Sequence, residues 1–206
     1  MDLSRIPLYT LSEEQKIGDR IYKTKIEGLY YISTEVFEDN RGFYREIAVV
    51  PDLDQVRNEK FEIKQLNHSN SNQNVIRGIH SENWNKLVTV THGVCLCVLA
   101  DIRPESPTFL EKEYILLGYG ENSPLPGALF ITNGIGNSFI TVEGQSEYVY
   151  AVDALYRERD KSGDKAISLF DQDLKIEWPI PQDQMIISDR DLQSVTLRSL
   201  YPEKFS

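Results

Sequence analysis

From Ile26 onward, short runs rich in Val, Ile, Tyr and Phe recur, each closed by a cluster of Gly, Asn, Pro or Asp. β-Branched and aromatic residues suit a pleated, half-buried surface, and the closing residues suit turns, so each run predicts a strand. The clearest strands are predicted at 29–33, 44–49, 62–69, 86–91, 94–101, 111–117, 128–132, 138–142 and 147–153. Turns are expected at Asn40-Arg41-Gly42, at His92-Gly93, at Ser106-Pro107 and from Pro124 to Gly127. A short helix is expected near Ser188, a capping residue followed by Asp189, Arg190 and Asp191. So many strands with so few helices narrow the fold to a sandwich, jelly roll or barrel. Neither a repeat nor a linker-like stretch divides the chain, so residues 26–206 are expected to form one all-β domain. Residues 1–25 are polar and mixed, with weak helical character around 12–20. They are expected to form an N-terminal extension that packs on the domain or on a partner subunit.

Composition removes several classes of function. With 206 residues, 40% of them hydrophobic, the chain can fill a substantial core. A net charge of −10 argues against a general nucleic-acid binder, which needs a basic footprint. It leaves room for a small anionic ligand held by a few local arginines. No apolar run is long enough to span a bilayer, so no membrane partner is expected. The first twenty residues lack a basic region followed by an apolar stretch, so no secretory signal is expected either. Cys95 and Cys97 are two apart in a strand-like run and point to the same face, where an unstrained bridge between them is difficult. Two reduced thiols suit a reducing cytoplasm. His68, His80 and His92 are too scattered for a metal site, and neither metal nor cofactor is expected.

The segment Val75-Ile76-Arg77-Gly78-Ile79-His80 resembles the R-G-L-H motif of the dTDP-4-dehydrorhamnose 3,5-epimerases. Further matches follow in the family's order. Phe37 to Gly42 resembles F-x-D-x-R-G, Gln65 to Ser69 resembles Q-x-N-x-S, and Lys86-Leu87-Val88 resembles K-L-V. Asp101-Ile102-Arg103 and Ser106-Pro107-Thr108 resemble D-L-R and S-P-T. Tyr148-Val149-Tyr150 resembles the strand that carries the family's catalytic tyrosine. Ile176 to Pro179 resembles I-x-W-P, and Ile187 to Asp191 resembles L-S-x-K-D. The matches span roughly residues 28–195. The resemblance implies a cupin-type jelly-roll β-barrel with short peripheral helices, acting as a homodimeric enzyme without a cofactor.

The family's reaction inverts carbons beside the C4 ketone of a nucleotide-linked 4-keto-6-deoxy sugar. Each inversion needs a base for a weakly acidic C–H proton, a group to hold the enolate, and an acid on the opposite face. The resemblance implies His80 as base, oriented by Asp191, with Lys86 facing the C4 oxygen and Tyr150 as acid. Histidine is apt because its neutral form is available near neutral pH. An ammonium in a dry pocket stabilises an enolate because the interaction strengthens as the dielectric falls. For Tyr148, core packing is the expected role. Arg41 and Arg77 are the candidates for the diphosphate, since a guanidinium donates paired hydrogen bonds to phosphate oxygens. Phe37, Glu46, Gln65, Asn67, Trp84 and Asn137 complete the candidate substrate-binding set. The loop carrying Arg41 is implied to reach the pocket of a neighbouring subunit.

Three departures from the family pattern stand out. The loop from Ser81 to Asn85 is shorter than the common form and carries Trp84. Asn137 replaces a pocket histidine, and an amide cannot shuttle a proton at neutral pH. Cys97 stands where many members carry an aspartate, which alters the surroundings expected for Lys86. These leave three alternatives beside double epimerisation of a dTDP-linked sugar: a mono-epimerase on a related nucleotide sugar, a sugar-binding module without catalysis, and a metal cupin. The joint presence of His80, Asp191, Lys86 and Tyr150 favours the enzyme.

Overall fold

A computed structural model of the chain describes residues 1–57, 60–120, 124–158 and 160–205. Eleven strands are present among them: β1 (Ile21–Lys23), β2 (Leu29–Ile32), β3 (Val36–Asp39), β4 (Gly42–Arg45), β5 (Gln65–Asn72), β6 (Ile76–Ser81), β7 (Lys86–Asp101), β8 (Lys112–Gly118), β9 (Ala128–Ile131), β10 (Ile135–Val152) and β11 (Lys165–Ala166). Two short helices follow, α1 (Asp189–Leu192) and α2 (Leu197–Leu200). Nine strands join in one sheet system ordered β1-β2-β9-β7-β10-β6-β11, with β5 on β10 and β8 on β7. The remaining two, β3 and β4, form a separate hairpin.

The long central strands β7 and β10 organise the fold. The first part of β7 pairs with β9, and its second part pairs with β8. The first part of β10 pairs with β6, and its second part pairs with β5. Each long strand therefore serves both walls of a jelly roll. The bends fall at glycines: Gly93 has φ +70° and Gly144 has φ +54°. A Cβ on Gly93 would meet the carbonyl oxygen of Gln145 at 2.2 Å, so the two backbones come together where only glycine fits.

This corrects the expected turn at His92-Gly93. The strands expected at 86–91 and 94–101 are one continuous strand, as are those expected at 138–142 and 147–153. The strand expected at 44–49 is instead the short β4, ending at Arg45, and the one at 62–69 is shifted to Gln65–Asn72. The motif carrying His80, absent from the clearest predicted strands, is β6.

The near-continuous apolar run of β7 follows from its two covered faces. Cys95, Cys97 and Leu99 pack into the inner core with Val88, Phe139 and Tyr148. The alternate residues Val94, Leu96, Val98 and Ala100 pack outward against Ile167, Leu169, Leu174 and Leu197 of the C-terminal segments. A third cluster sets Leu53 and Phe61 against Phe130 and Ala151. Residues 1–25, expected to pack on the domain or on a partner subunit, contribute to the cores of the domain: Tyr9 and Tyr22 join the inner cluster, Ile6 joins the outer one, and β1 pairs with β2. No helix among the described residues is long and apolar enough to cross a membrane.

Candidate active site

A cavity of about 540 Å³ opens between β5, β6, the start of β7, β10 and α1. His80, Lys86, Tyr150 and Asp191 all line it, together with Arg77, Asn67 and Asn137. The strand ladders explain how they converge. His80 on β6 is the register partner of Asn137 on β10, and Tyr150 farther along β10 pairs with Asn67 on β5. Lys86 opens β7 and lies across from Val152 of β10.

Asp191 is 111 positions from His80, yet backbone hydrogen bonds fix it there. Ile186 bonds to Asn74 and Ile76 at the entry to β6. Val195 bonds to Ala166 and Ser168, and Ala166 in turn pairs with His80 through β11. Between these two anchors Ser188 caps α1, its hydroxyl accepting from the backbone N–H of Asp191. The helix turn so formed lays the Asp191 carboxylate on the imidazole.

His80 Nε2 lies 2.6 Å from Asp191 Oδ1, with side-chain exposures of 23% and 5%. Burial pushes the Asp191 carboxyl up. The hydrogen bond and charge of His80, with Ser188 and the Gly78 N–H, outweigh that and hold it below the usual carboxylate range. A charged carboxylate only accepts, so Nε2 carries the proton and Nδ1 is the basic nitrogen of the neutral ring. Lys86 is buried, and its Nζ lies 2.5 Å from Glu82 Oε2.

Two tyrosines share the floor of β10 but differ in setting. Tyr148 is buried and stacks on Phe139 at 4.1 Å between ring centroids. Burial pushes its phenol well above the usual range, so it keeps its proton and donates to Asn137 Oδ1 at 3.0 Å. That hydrogen bond turns the amide NH₂ of Asn137 away from Tyr148. Tyr150 is half-buried on the same face, 6.2 Å from Tyr148 between centroids. Arg77 reaches the cavity with its Nε donating to Ser71 Oγ at 3.0 Å.

Five of the predicted binding residues lie outside this cavity within one chain. Gln65 braces it from behind: its Nε2 donates to Asn67 Oδ1 at 2.6 Å and its Oε1 accepts from the Tyr156 N–H at 2.9 Å. Trp84 is buried in the loop before β7, 6.3 Å from the Tyr156 ring. Phe37 and Arg41 line a separate groove on the β3–β4 hairpin, where Arg41 pairs with Asp39 at 2.5 Å. Glu46 pairs with Arg20 at 3.4 Å. Conversely, Glu82, Arg190, His68 and Leu66 line the cavity without having been singled out. In sequence Glu82 belongs to the short loop after His80, and Arg190 to the short helix expected near Ser188. The one available signal was their closeness to Lys86 and Asp191.

The family model described as dTDP-4-dehydrorhamnose 3,5-epimerase matches residues 23–199. The chain is 31% identical over 183 residues to the dTDP-4-dehydrorhamnose 3,5-epimerase of Methanothermobacter thermautotrophicus, covering 87% of this chain and 95% of that protein. It is 31% identical over 166 residues to the Salmonella typhimurium enzyme of the same name, covering 79% and 87%. Among solved structures it is similar to a 4-keto-6-deoxy sugar epimerase from Streptomyces spheroides, with TM-score 0.80, 25% identity and 95% of each chain covered. It is also similar to a dTDP-6-deoxy-D-glucose-3,5-epimerase from Legionella pneumophila in complex with dTDP-4-keto-L-rhamnose. There the TM-score is 0.76 and the identity 27%, over 89% of this chain and 95% of the other. With the family model matched over most of this chain and His80, Lys86, Tyr150 and Asp191 lining one cavity, the chain belongs to the dTDP-4-dehydrorhamnose 3,5-epimerase family.

Proposed function

We propose that the chain inverts C3 and C5 of a dTDP-4-keto-6-deoxy hexose by removing and returning protons beside the C4 ketone. The observation that carries this reading is the His80–Asp191 contact of 2.6 Å inside the cavity that Lys86 and Tyr150 also line. His80 Nδ1 takes the C–H proton, and the electron pair moves onto the ketone oxygen as an enolate. The Lys86 ammonium stabilises that charge, and the Tyr150 phenol gives a proton to the opposite face of the carbon. Exchange with solvent then restores both side chains. Asp191 stabilises the imidazolium that forms and fixes the tautomer before it does.

Arg77 and Asn67 are assigned to substrate binding on the cavity wall, with Asn137 as a neutral donor to a sugar oxygen. Arg41, Phe37 and Glu46 are assigned to the same substrate through a second copy of the chain. The β3–β4 hairpin forms a two-stranded sheet of its own with Phe37, Phe43 and Tyr44 exposed, which suits insertion into a partner's cavity. A homodimer in a reducing cytoplasm is therefore part of the proposal, the latter supported by the two buried free thiols Cys95 and Cys97.

Incubation with dTDP-4-keto-6-deoxyglucose in deuterated solvent tests the reading. Deuterium at C3 and C5 with a changed configuration at both is the expected result. Label at one carbon alone would make the chain a mono-epimerase, and tight binding without label would make it a sugar-binding module.

A further inference from the structure

Two carboxylates are present among the described residues that line the cavity, and each faces one basic group. Asp191 engages His80, and Glu82 engages Lys86. We propose that Glu82 is the positioning residue for Lys86, holding its ammonium at the cavity wall where the developing enolate oxygen will lie. The proposal rests on the epimerase reading for what Lys86 does, but the pairing itself stands on geometry.

The Lys86 side chain is 6% exposed and that of Glu82 is 18% exposed. An ammonium taken so far from water needs a counter-charge, and removing one partner of such a pair leaves the other uncompensated. Among the described residues that line the cavity, Asp191 is the one other carboxylate. Asp191 is committed to His80. Cys97 lies farther along the same strand but is fully buried in the inner core, where burial pushes its thiol up and keeps it neutral. The ammonium has three N–H donors and the 2.5 Å contact with Glu82 Oε2 occupies one, so Nζ retains donors for an incoming oxygen.

The loop that carries Glu82 is anchored on both sides. Asn85 donates from its backbone and side-chain amides to Asp153. Asn133 donates to Asn85 Oδ1 at 3.0 Å and to Asn83 Oδ1 at 2.6 Å, and Trp84 is buried between. A loop pinned in this way fixes where Glu82 sits, and Glu82 fixes Lys86. The short connection between β6 and β7 thus delivers the carboxylate to the lysine from four residues upstream.

Because the ground-state ketone is neutral and the enolate is charged, a misplaced ammonium should lower kcat more than it raises KM. Glu82→Gln is expected to lose about tenfold or more in kcat with KM within about twofold. Glu82→Asp, which keeps the charge, is expected to recover most of the loss. Binding of dTDP confirms that both variants are folded. An unchanged kcat in Glu82→Gln, or a raised KM at normal kcat, would overturn the proposal. A readout free of substrate separates it from the epimerase reading. In ¹⁵N-lysine-labelled protein, the Lys86 ammonium signal should resist solvent exchange in the wild type and in Glu82→Asp, and be lost in Glu82→Gln. If that pattern holds while the wild type turns over no 4-keto sugar nucleotide, the function fails and the pairing stands. If turnover is present and all three proteins give the same lysine signal, the pairing fails alone.

Discussion

The buried phenol of Tyr148 donates to Asn137 Oδ1 at 3.0 Å, and so sets which end of that amide is offered elsewhere. Asn137 occupies the register position facing His80 across β6 and β10. Tyr148→Phe keeps the ring stack on Phe139 but leaves the amide without its fixed orientation. The expected result is a loss of about 1 kcal/mol in stability and a severalfold fall in kcat. Chemical denaturation and steady-state rates check both. Unchanged kcat would mean that Asn137 orientation is irrelevant to the reaction.

Asp191→Asn should keep the fold and nearly the same contact distance but present an amide to the imidazole. The carboxamide no longer demands a proton on Nε2 and cannot balance the imidazolium. A fall in kcat of about a hundredfold or more is expected, with dTDP affinity unchanged. Activity close to wild type would remove Asp191 from the mechanism.

The motif from Asp101 to Thr108 has a structural job. Asp101 is fully buried and accepts from Arg103, Ser106 and Thr108 side chains. Burial pushes its carboxyl up, yet those hydrogen bonds outweigh it and hold the group below the usual range. A carboxyl depressed in the folded state contributes stability above its unfolded value of about 4, and that contribution is lost as pH falls through the folded value. Asp101→Asn should therefore cost about 2–3 kcal/mol near neutral pH, and the gap to wild type should narrow below about pH 4. Denaturant midpoints measured across that range decide it. A gap that does not change with pH would contradict the assignment.

The hairpin predicts complementation between subunits. Arg41→Ala should raise KM with little change in kcat. Mixed with His80→Ala under subunit exchange, it should regenerate wild-type sites in about a quarter of all positions, because each mixed dimer holds one intact site. Activity at low substrate would then exceed the mean of the two variants. A strict average would place Arg41 away from a partner's cavity.

Much of this architecture was legible because alternation and turn chemistry report burial directly. The strands β2, β8 and β9 fall within a residue of expectation for that reason. Gly93 misled because a positive-φ glycine serves a bend inside a strand as well as a reversal between strands. Ile6 and Tyr9 lie among Leu3, Leu8 and Leu11 in a short stretch with no sustained period to announce that they are buried. The His80–Asp191 pair became readable through the ordered motifs alone, since no local signal spans 111 positions. Glu82 was missed because an acidic residue in a short loop is ordinarily solvated, and only tertiary packing shows that it faces a buried lysine.

In the proposed reaction the imidazole held by Asp191 is the base for both carbons. The direct measurement is deuterium wash-in at C3 and C5 of dTDP-4-keto-6-deoxyglucose, followed by NMR with His80→Ala beside the wild type. Label is expected at both carbons with the wild type and none above the uncatalysed background with the variant, while dTDP still binds. Near-normal label at either carbon in His80→Ala would contradict that role.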